Sequence, residues 1–132
     1  MKRFLAPILL AITFSVMFSS TSFADWEKVI ENVHGDTFYV DIERIRKHDG
    51  YVYWWELVDF LKPDKWGDMS AEAYEQGDCE LFRYKGLNWF FHKEPMGEGP
   101  AQISNDADKE WNYPPPNSTI EIVLKTVCEY AN

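Results

Sequence analysis

From residue 26 onward, apolar and polar residues alternate imperfectly, with the period of a half-buried β-strand. The alternation predicts strands over residues 26–33 and 37–42, separated by a turn. The strongest strand prediction covers residues 51–61, a run of aromatic and branched side chains that follows the hairpin signal Asp49-Gly50. The polar residues 43–50 are predicted to form a bend.

A second β-rich region follows the proline and glycine residues of segment 62–68. Residues 80–92 predict a long strand, and the Gly77-Asp78 pair before it fits either a hairpin turn or a bulge in one bent strand. A short strand is predicted over residues 101–104. It lies in a long loop that ends in the proline run 114–116.

The C-terminal segment changes to a helical period. Ser118 and Glu121 form an S-x-x-E capping box, in which Ser118 caps a backbone amide near Glu121 while the Glu121 carboxylate reaches back. Apolar residues then recur at helical spacing to about Tyr130, namely Ile120, Val123, Leu124, Val127 and Cys128. The whole pattern predicts an α+β fold, an antiparallel sheet of five or six strands packed against one C-terminal helix.

Residues 1–24 have the pattern of a cleaved secretory signal peptide. Two basic residues precede an apolar run over residues 4–18, and Ser22 and Ala24 are the small residues that signal peptidase requires. An uncleaved membrane anchor is the alternative, but the run is shorter than the roughly 20 residues of a spanning helix. We therefore expect a single mature domain over residues 25–132, periplasmic or secreted and without a membrane span.

The net charge of the chain excludes some classes of binding partner. The chain has 13 Lys and Arg against 22 Asp and Glu, a net charge of −9 at pH 7. Cleavage of the leader would remove Lys2 and Arg3 and leave the mature domain at −11. Because so acidic a domain repels nucleic acid and anionic lipid, neither is an expected partner.

The two cysteines, Cys79 and Cys128, are predicted to form one disulfide, because export leads to an oxidising compartment. A redox or metal role would need a C-x-x-C motif or a His/Cys cluster, and the sequence has neither. Since neither cysteine lies at the predicted cleavage point, a lipid anchor is not expected.

The segment EPMGEGP, Glu94 to Pro100, looks like a phosphate-binding glycine loop but lacks its chemistry. Pro100 has no N–H to offer, and Glu94 and Glu98 add negative charge where a phosphate would lie. We expect a turn, in which Gly97 and Gly99 adopt backbone angles that other residues resist.

The other polar candidates predict no catalytic or cofactor site. His34, His48 and His92 are expected to be exposed residues in or beside turns, without the spacing of a metal site. No nucleophile motif occurs, and the many carboxylates single out no acid and base pair. We therefore expect neither an enzyme nor a resident cofactor.

The acidic segment NDADKE, residues 105–110, suggests the alternative function. It lacks the glycine and the bidentate glutamate of a calcium loop, which favours a solvated loop. The alternative is a periplasmic protein that binds calcium or a small ligand around Asp106 and Asp108.

The aromatic content suggests a surface. Trp54 and Trp55 are adjacent in one predicted strand and must point to opposite faces, so no more than one of them enters the core under the helix. One interpretation of the six tryptophans is that they cover a thin core. The other is an exposed patch, with Trp55, Trp66 and Trp111 as candidate protein-binding residues.

A series of short motifs occurs in a particular order along the chain. The series is Trp26 in the first strand, YVDIERIRK (39–47), YWWELVDF (53–60), Ser70, Asp78-Cys79, PMGEG (95–99), Trp111, a Pro-Asn-Ser helix cap and Cys128. Together these motifs resemble the surface-adhesin protein E family of bacterial exported proteins over nearly all of the predicted mature domain. Asp78-Cys79, PMGEG and Cys128 carry most of the likeness.

The resemblance implies an antiparallel sheet with a C-terminal helix. It also implies adhesion, since the best-known member is an outer-membrane lipoprotein that binds host proteins such as laminin, vitronectin and plasminogen. We expect a non-enzymatic binding or structural domain that presents aromatic residues and loops to a protein partner, from the host matrix or the envelope. A homodimer is a further form of this hypothesis.

Overall fold

The computed structural model describes residues 25–132, so the predicted leader lies outside the described residues. Seven strands and one α-helix confirm the predicted α+β class. The strands are β1 (Trp26–Glu31), β2 (Thr37–Asp41), β3 (Arg46–His48), β4 (Tyr51–Asp59), β5 (Ser70–Asp78), β6 (Arg83–His92) and β7 (Ala101–Ser104), and the helix is α1 (Thr119–Ala131).

All strands belong to one antiparallel sheet in the order β1-β2-β4-β5-β6-β7, with β3 also paired to β4. The segment predicted as a bend contains β3. A short 3-10 turn, Ile42–Arg44, ends β2, and β3 then takes its place beside the first part of β4. The prediction of strand 101–104 is confirmed.

Two hairpins set the register of the central strands. Asp49 and Gly50 form the tight turn between β3 and β4, with φ angles of 51° and 84°, which suits a two-residue turn. Gly77 and Asp78 are the last residues of β5, and the chain reverses directly after them over residues 79–82. A hairpin therefore follows this pair. The bulge of the β5–β6 pair lies in β6, where Leu87 is the extra residue opposite Tyr74 and Glu75.

The core lies on the face of the sheet that α1 covers. Trp54, Val40 and Val52 of the sheet pack there against Val123, Leu124 and Val127 of the helix. A Cβ at Gly77 would meet Leu124 at 2.8 Å and Trp54 at 2.9 Å, so glycine allows the helix to approach the sheet closely. The position of α1 against the sheet thus depends on the absence of a Cβ at Gly77 of β5.

The disulfide and the helix cap fix the two ends of α1. Cys79 and Cys128 are bonded, with Cα atoms 5.8 Å apart, which confirms the predicted pairing. Ser118 Oγ accepts from the Glu121 amide at 3.2 Å, as the capping box predicts. The Glu121 carboxylate, however, accepts from the Asn117 amide at 3.0 Å, because the Ser118 amide already donates to the Pro115 carbonyl.

Candidate functional site

The face of the sheet opposite α1, here called the open face, carries a cluster of half-buried aromatic side chains. Paired residues of antiparallel strands share a face, and the register places Tyr53 and Trp55 of β4 beside Tyr74 of β5. The ring centroids of Trp55 and Tyr74 are 4.9 Å apart, and those of Trp55 and Phe90 are 5.5 Å apart. The open face therefore has an aromatic surface across three strands.

Trp111 joins this surface from a distant loop. Asn112 forms a β-bridge with Tyr84, which holds the loop along the edge of β6. The Trp111 ring lies 5.3 Å from Tyr51, and the cations of Arg83 and Lys85 lie 4.3 Å and 4.9 Å from its centroid. The structure thus places Trp55 and Trp111 on one face, as the patch interpretation requires.

Trp66, the third candidate, lies elsewhere. It is 67% exposed in the turn between β4 and β5, where its amide donates to Asp64 and its carbonyl accepts from Lys93. Its ring borders a cavity of about 250 Å³ with Phe91 and Ile103 at the β6–β7 edge. The predicted set of three tryptophans therefore divides between two locations.

All three arginines of the described chain lie on the open face. Arg44 is stacked on Trp55, Arg46 pairs with Tyr53 in the register, and Arg83 is stacked on Trp111. In contrast, two carboxylates of the same face, Asp41 and Asp78, are buried and ion-paired. Cationic side chains are therefore concentrated on this face of an acidic protein.

Asp78 shows how such a carboxylate is held. Burial by itself would raise its pKa, but hydrogen bonds from the amides of Leu81 and Glu80 and from Arg83 outweigh burial and lower it. The Arg83 Nε donates at 2.9 Å. Asp78 therefore closes the β5–β6 turn and fixes Arg83 under Trp111.

The glycine loop folds onto one end of the open face. The Met96 amide donates to Asp59 and the Gly97 amide donates to Ser70 Oγ, each at 2.8 Å, and Ser70 Oγ donates to the Glu94 carbonyl. The loop amides thus bind the protein's own side chains. The segment is a turn, as predicted, with φ of 69° at Gly97 and 78° at Gly99.

The prediction for His92 was wrong. His34 and His48 are exposed, but His92 is the last residue of β6 and is buried on the open face. Its Nδ1 donates to the Gly99 carbonyl at 3.1 Å, and its Nε2 lies 2.7 Å from Oε1 of Glu72. The burial arises because the loop after β6 folds back over the ring, a tertiary contact that strand periodicity does not reveal.

The acidic loop, residues 105–110, forms hydrogen bonds within the fold. Asp108 Oδ2 accepts from the Gly86 amide at 2.8 Å and from Asn112 Nδ2 at 2.9 Å, which attaches the loop to β6. Within residues 25–132, no group of three His, Cys, Asp or Glu side chains is placed to hold a metal ion. The structure therefore does not favour the calcium alternative.

A pair of buried carboxyl groups, Glu56 and Glu75, on the helix-covered side of the sheet was not predicted from the sequence. Glu56 of β4 and Glu75 of β5 are diagonal neighbours in the strand pairing, and both are buried. Trp54, which pairs with Glu75, donates from Nε1 to Glu56 at 3.2 Å. Burial raises the pKa of Glu75 well above its usual range, and repulsion from Glu56 and hydrogen bonding with it raise it further. A glutamate inside the apolar run YWWELV was the available sequence signal.

Comparisons with known proteins identify the family of this chain. The profile of the family described as Surface-adhesin protein E matches residues 26–129. The chain therefore belongs to the surface-adhesin protein E family, as its motifs indicated. Comparison with curated proteins gives no significant match.

Solved structures show the same fold. Protein E of Haemophilus influenzae, in its crystal form II, aligns with a TM-score of 0.64 at 17% identity, over 92% of this chain and 100% of that one. Protein E from non-typeable Haemophilus influenzae aligns with a TM-score of 0.59 at 18% identity, over 83% and 79% of the two chains. Among residues 25–132, no helix has the length and apolar character needed to cross a membrane.

Proposed function

We propose that this domain is an exported adhesin-type protein that binds a partner protein through the aromatic surface of its open face. Its main contact residues are Trp55 and Trp111. The observation that carries the proposal is that half-buried aromatic rings, stacked with arginines, lie on the face that α1 leaves uncovered. Tryptophan, tyrosine and arginine are the residues that dominate the energetics of protein interfaces.

Membership in a surface-adhesin family supports both export and an adhesive role. We place the mature domain in the periplasm or outside the cell, after cleavage of residues 1–24. Trp66 is proposed as a separate contact, because its exposed ring lies at the β6–β7 edge and not on the open face.

The proposed role is non-enzymatic. Ser70 and His92 are paired neighbours on β5 and β6, and Glu72 is nearby, so the residue types of a hydrolase triad are present. Their contacts differ from those of a triad, because the Ser70 hydroxyl donates to the Glu94 carbonyl and the His92 ring contacts Gly99 and Glu72. In this arrangement the histidine is not placed to deprotonate the serine.

A binding assay with matched variants tests the proposal. Immobilised domain 25–132 would be incubated with laminin, vitronectin, plasminogen and solubilised envelope proteins. We expect Trp55→Ala and Trp111→Ala to weaken binding of the captured protein at least tenfold. Tyr130→Ala removes an exposed aromatic ring from α1 and should leave binding unchanged.

Equal binding by all the variants would contradict the proposal. Light scattering on the same samples shows whether the bound partner is a second copy of the domain. In that case Trp55→Ala would convert a dimer to a monomer, whereas Tyr130→Ala would not.

A further inference from the structure

A small pocket lies within the open face. Arg44, Trp55, Glu72 and Phe90 line a cavity of about 120 Å³. Trp55 and Phe90 provide two aromatic walls with ring centroids 5.5 Å apart and planes inclined by 50°. A guanidinium and a carboxylate complete the pocket, so its lining has apolar surfaces, hydrogen-bond donors and an acceptor.

A buried carboxylate holds the hydrogen-bond donor of the pocket, Arg44, in place. Arg44 Nε donates to Asp41, a carboxylate that is almost fully buried, and the guanidinium lies 5.5 Å from the Trp55 centroid. A guanidinium has five N–H donors in one plane, so the contact with Asp41 leaves the Nη groups available. Nearly half of the Arg44 side chain is exposed.

The acceptor is held as firmly. Oε1 of Glu72 lies 2.7 Å from His92 Nε2, and the His92 ring is itself fixed by the Gly99 carbonyl. A Cβ on Gly97 would come within 3.2 Å of the Glu72 carboxyl carbon, so the glycine loop packs against this side chain. The contact with His92 uses one carboxylate oxygen of Glu72, so this pocket-lining residue keeps a second oxygen that can accept a hydrogen bond.

We propose that this pocket binds one ring of a neutral sugar, the terminal or internal hexose of an uncharged glycan. The C–H face of a pyranose ring packs on aromatic side chains, while its hydroxyls both donate and accept hydrogen bonds. Trp55 and Phe90 supply the packing surface. Arg44 donates to one hydroxyl and Glu72 accepts from another, in positions that their buried partners fix before binding.

The opposite charges of the pocket select against charged ligands. An anion would approach the Glu72 carboxylate, and a cation would approach the Arg44 guanidinium, whereas a neutral polyol satisfies both. The surface continues beside the pocket with Tyr74, Tyr53 and Gln76, whose amide donates to the Tyr53 hydroxyl at 3.0 Å. Further sugar rings of a chain would lie along these residues.

The test uses the disulfide-bonded domain 25–132 and follows amide and indole shifts by NMR. The probes are the neutral tetrasaccharides of glucose, mannose and N-acetylglucosamine, with a heparin tetrasaccharide as the anionic probe. We expect at least one neutral probe to shift the Trp55 indole and the residues around Glu72. Trp55→Ala and the nearly isosteric Glu72→Gln should each weaken that binding at least tenfold.

Tyr130→Ala is the matched control, because it removes an exposed aromatic ring of α1, outside the pocket, and should leave sugar binding unchanged. Ribonuclease B and its unglycosylated form, ribonuclease A, distinguish the source of the sugar. Binding to free tetrasaccharides alone indicates a polysaccharide ligand, and binding to ribonuclease B but not to ribonuclease A indicates a protein-linked glycan. Equal binding to the two ribonucleases indicates peptide recognition and overturns the inference.

The inference is also overturned if only the heparin fragment binds, if neutral probes cause no shifts, or if the shifts lie outside the pocket. It shares the open face with the proposed protein-binding function, yet the two fail separately. Protein capture that depends on Trp111 and persists without sugar binding removes only the sugar site. Sugar binding without any captured protein removes only the protein-binding proposal.

Discussion

Trp54 and Trp55 are neighbours in β4, but the two faces of the sheet give them different roles. Trp54 is completely buried under α1, with its indole N–H donating to Glu56. Trp55 is half-buried on the open face, between Tyr74, Phe90 and Arg44. One face thus stabilises the fold, and the other uses the same residue type to form a surface.

Asp78 and Glu75, buried carboxyl groups on opposite faces of the sheet, differ in the same way. On the open face Asp78 is ion-paired with Arg83 and its pKa is lowered, whereas on the helix-covered side burial raises the pKa of Glu75. A charge on the open face is therefore compensated by a cation, while a charge on the other face is disfavoured. The proposed binding surface therefore lies on the face where the buried carboxylates are ion-paired.

Truncating the two tryptophans should give the largest contrast. We expect Trp54→Ala to destabilise the domain by about 3–5 kcal/mol, because it leaves a cavity under the helix. Trp55→Ala should cost only about 1 kcal/mol, because its ring already contacts solvent. Urea denaturation measures both values, and equal losses would show that the open face is also part of the core.

Removing the disulfide tests how α1 is held on its face. Cys79 and Cys128 are separated by 49 residues, so replacement of both by alanine should cost about 4 kcal/mol through the entropy of the unfolded chain. The helix should lose amide protection in hydrogen exchange before β4 and β5 do. Retention of full stability without the bond would mean that packing alone positions the helix.

Substitution of one glycine on each face tests how closely neighbouring groups pack against the backbone there. Gly77→Ala should destabilise by about 1–3 kcal/mol, since the methyl group would overlap Leu124 and Trp54. Gly97→Ala should cost about 1 kcal/mol, because alanine resists the φ of 69° there. Only Gly97→Ala should also displace Glu72, which is measured by the chemical shift of the His92 ring.

The smallest expected effects are those of pH on the free energy of unfolding, and the first comes from Glu75. The pKa of Glu75 lies above its ordinary value of 4.5 in the folded state, so stability from this group falls as pH rises from that value through the folded pKa. Glu75→Gln should therefore be more stable than the natural protein at pH 7, with the difference vanishing below about pH 4. Denaturation across pH measures it, with the exposed Glu129→Gln as the control.

Asp78 gives the opposite dependence. Its folded pKa lies below the ordinary value of 3.8, so its contribution to stability is present above that value and is lost as pH falls through the folded pKa. Asp78→Asn should reduce stability at pH 7, and this loss should shrink at the lowest pH values. A stability loss that is independent of pH would assign the role of Asp78 to packing.

Much of the fold could be predicted because it depends on neighbouring residues. The Asp49-Gly50 hairpin, the Ser118 cap and the apolar stripe of α1 each require only a few consecutive positions. The resemblance in motifs led to the family for the same reason, since Asp78-Cys79 and PMGEG are local turn sequences. The disulfide was predicted from the presence of two cysteines and the expectation of export to an oxidising compartment.

The candidate site was predicted only in part. Trp55 and Trp111 do share a surface, but Trp66 does not, because the turn after β4 directs it to the β6–β7 edge. The burial of His92 was missed because its partners, Glu72 and Gly99, are brought to it by strand pairing and by a folded-back loop. The arginines on the open face were likewise hidden by the strongly negative total charge.

By itself the sequence determined most of the strands, the helix and the opposite orientation of Trp54 and Trp55, since the period of a strand is a property of the backbone. The tertiary structure decided which face α1 covers and therefore which tryptophan is buried. It also brought Arg44 to Trp55 and Glu72 to His92. These contacts depend on register across strands, and register is set by the packing of the whole sheet.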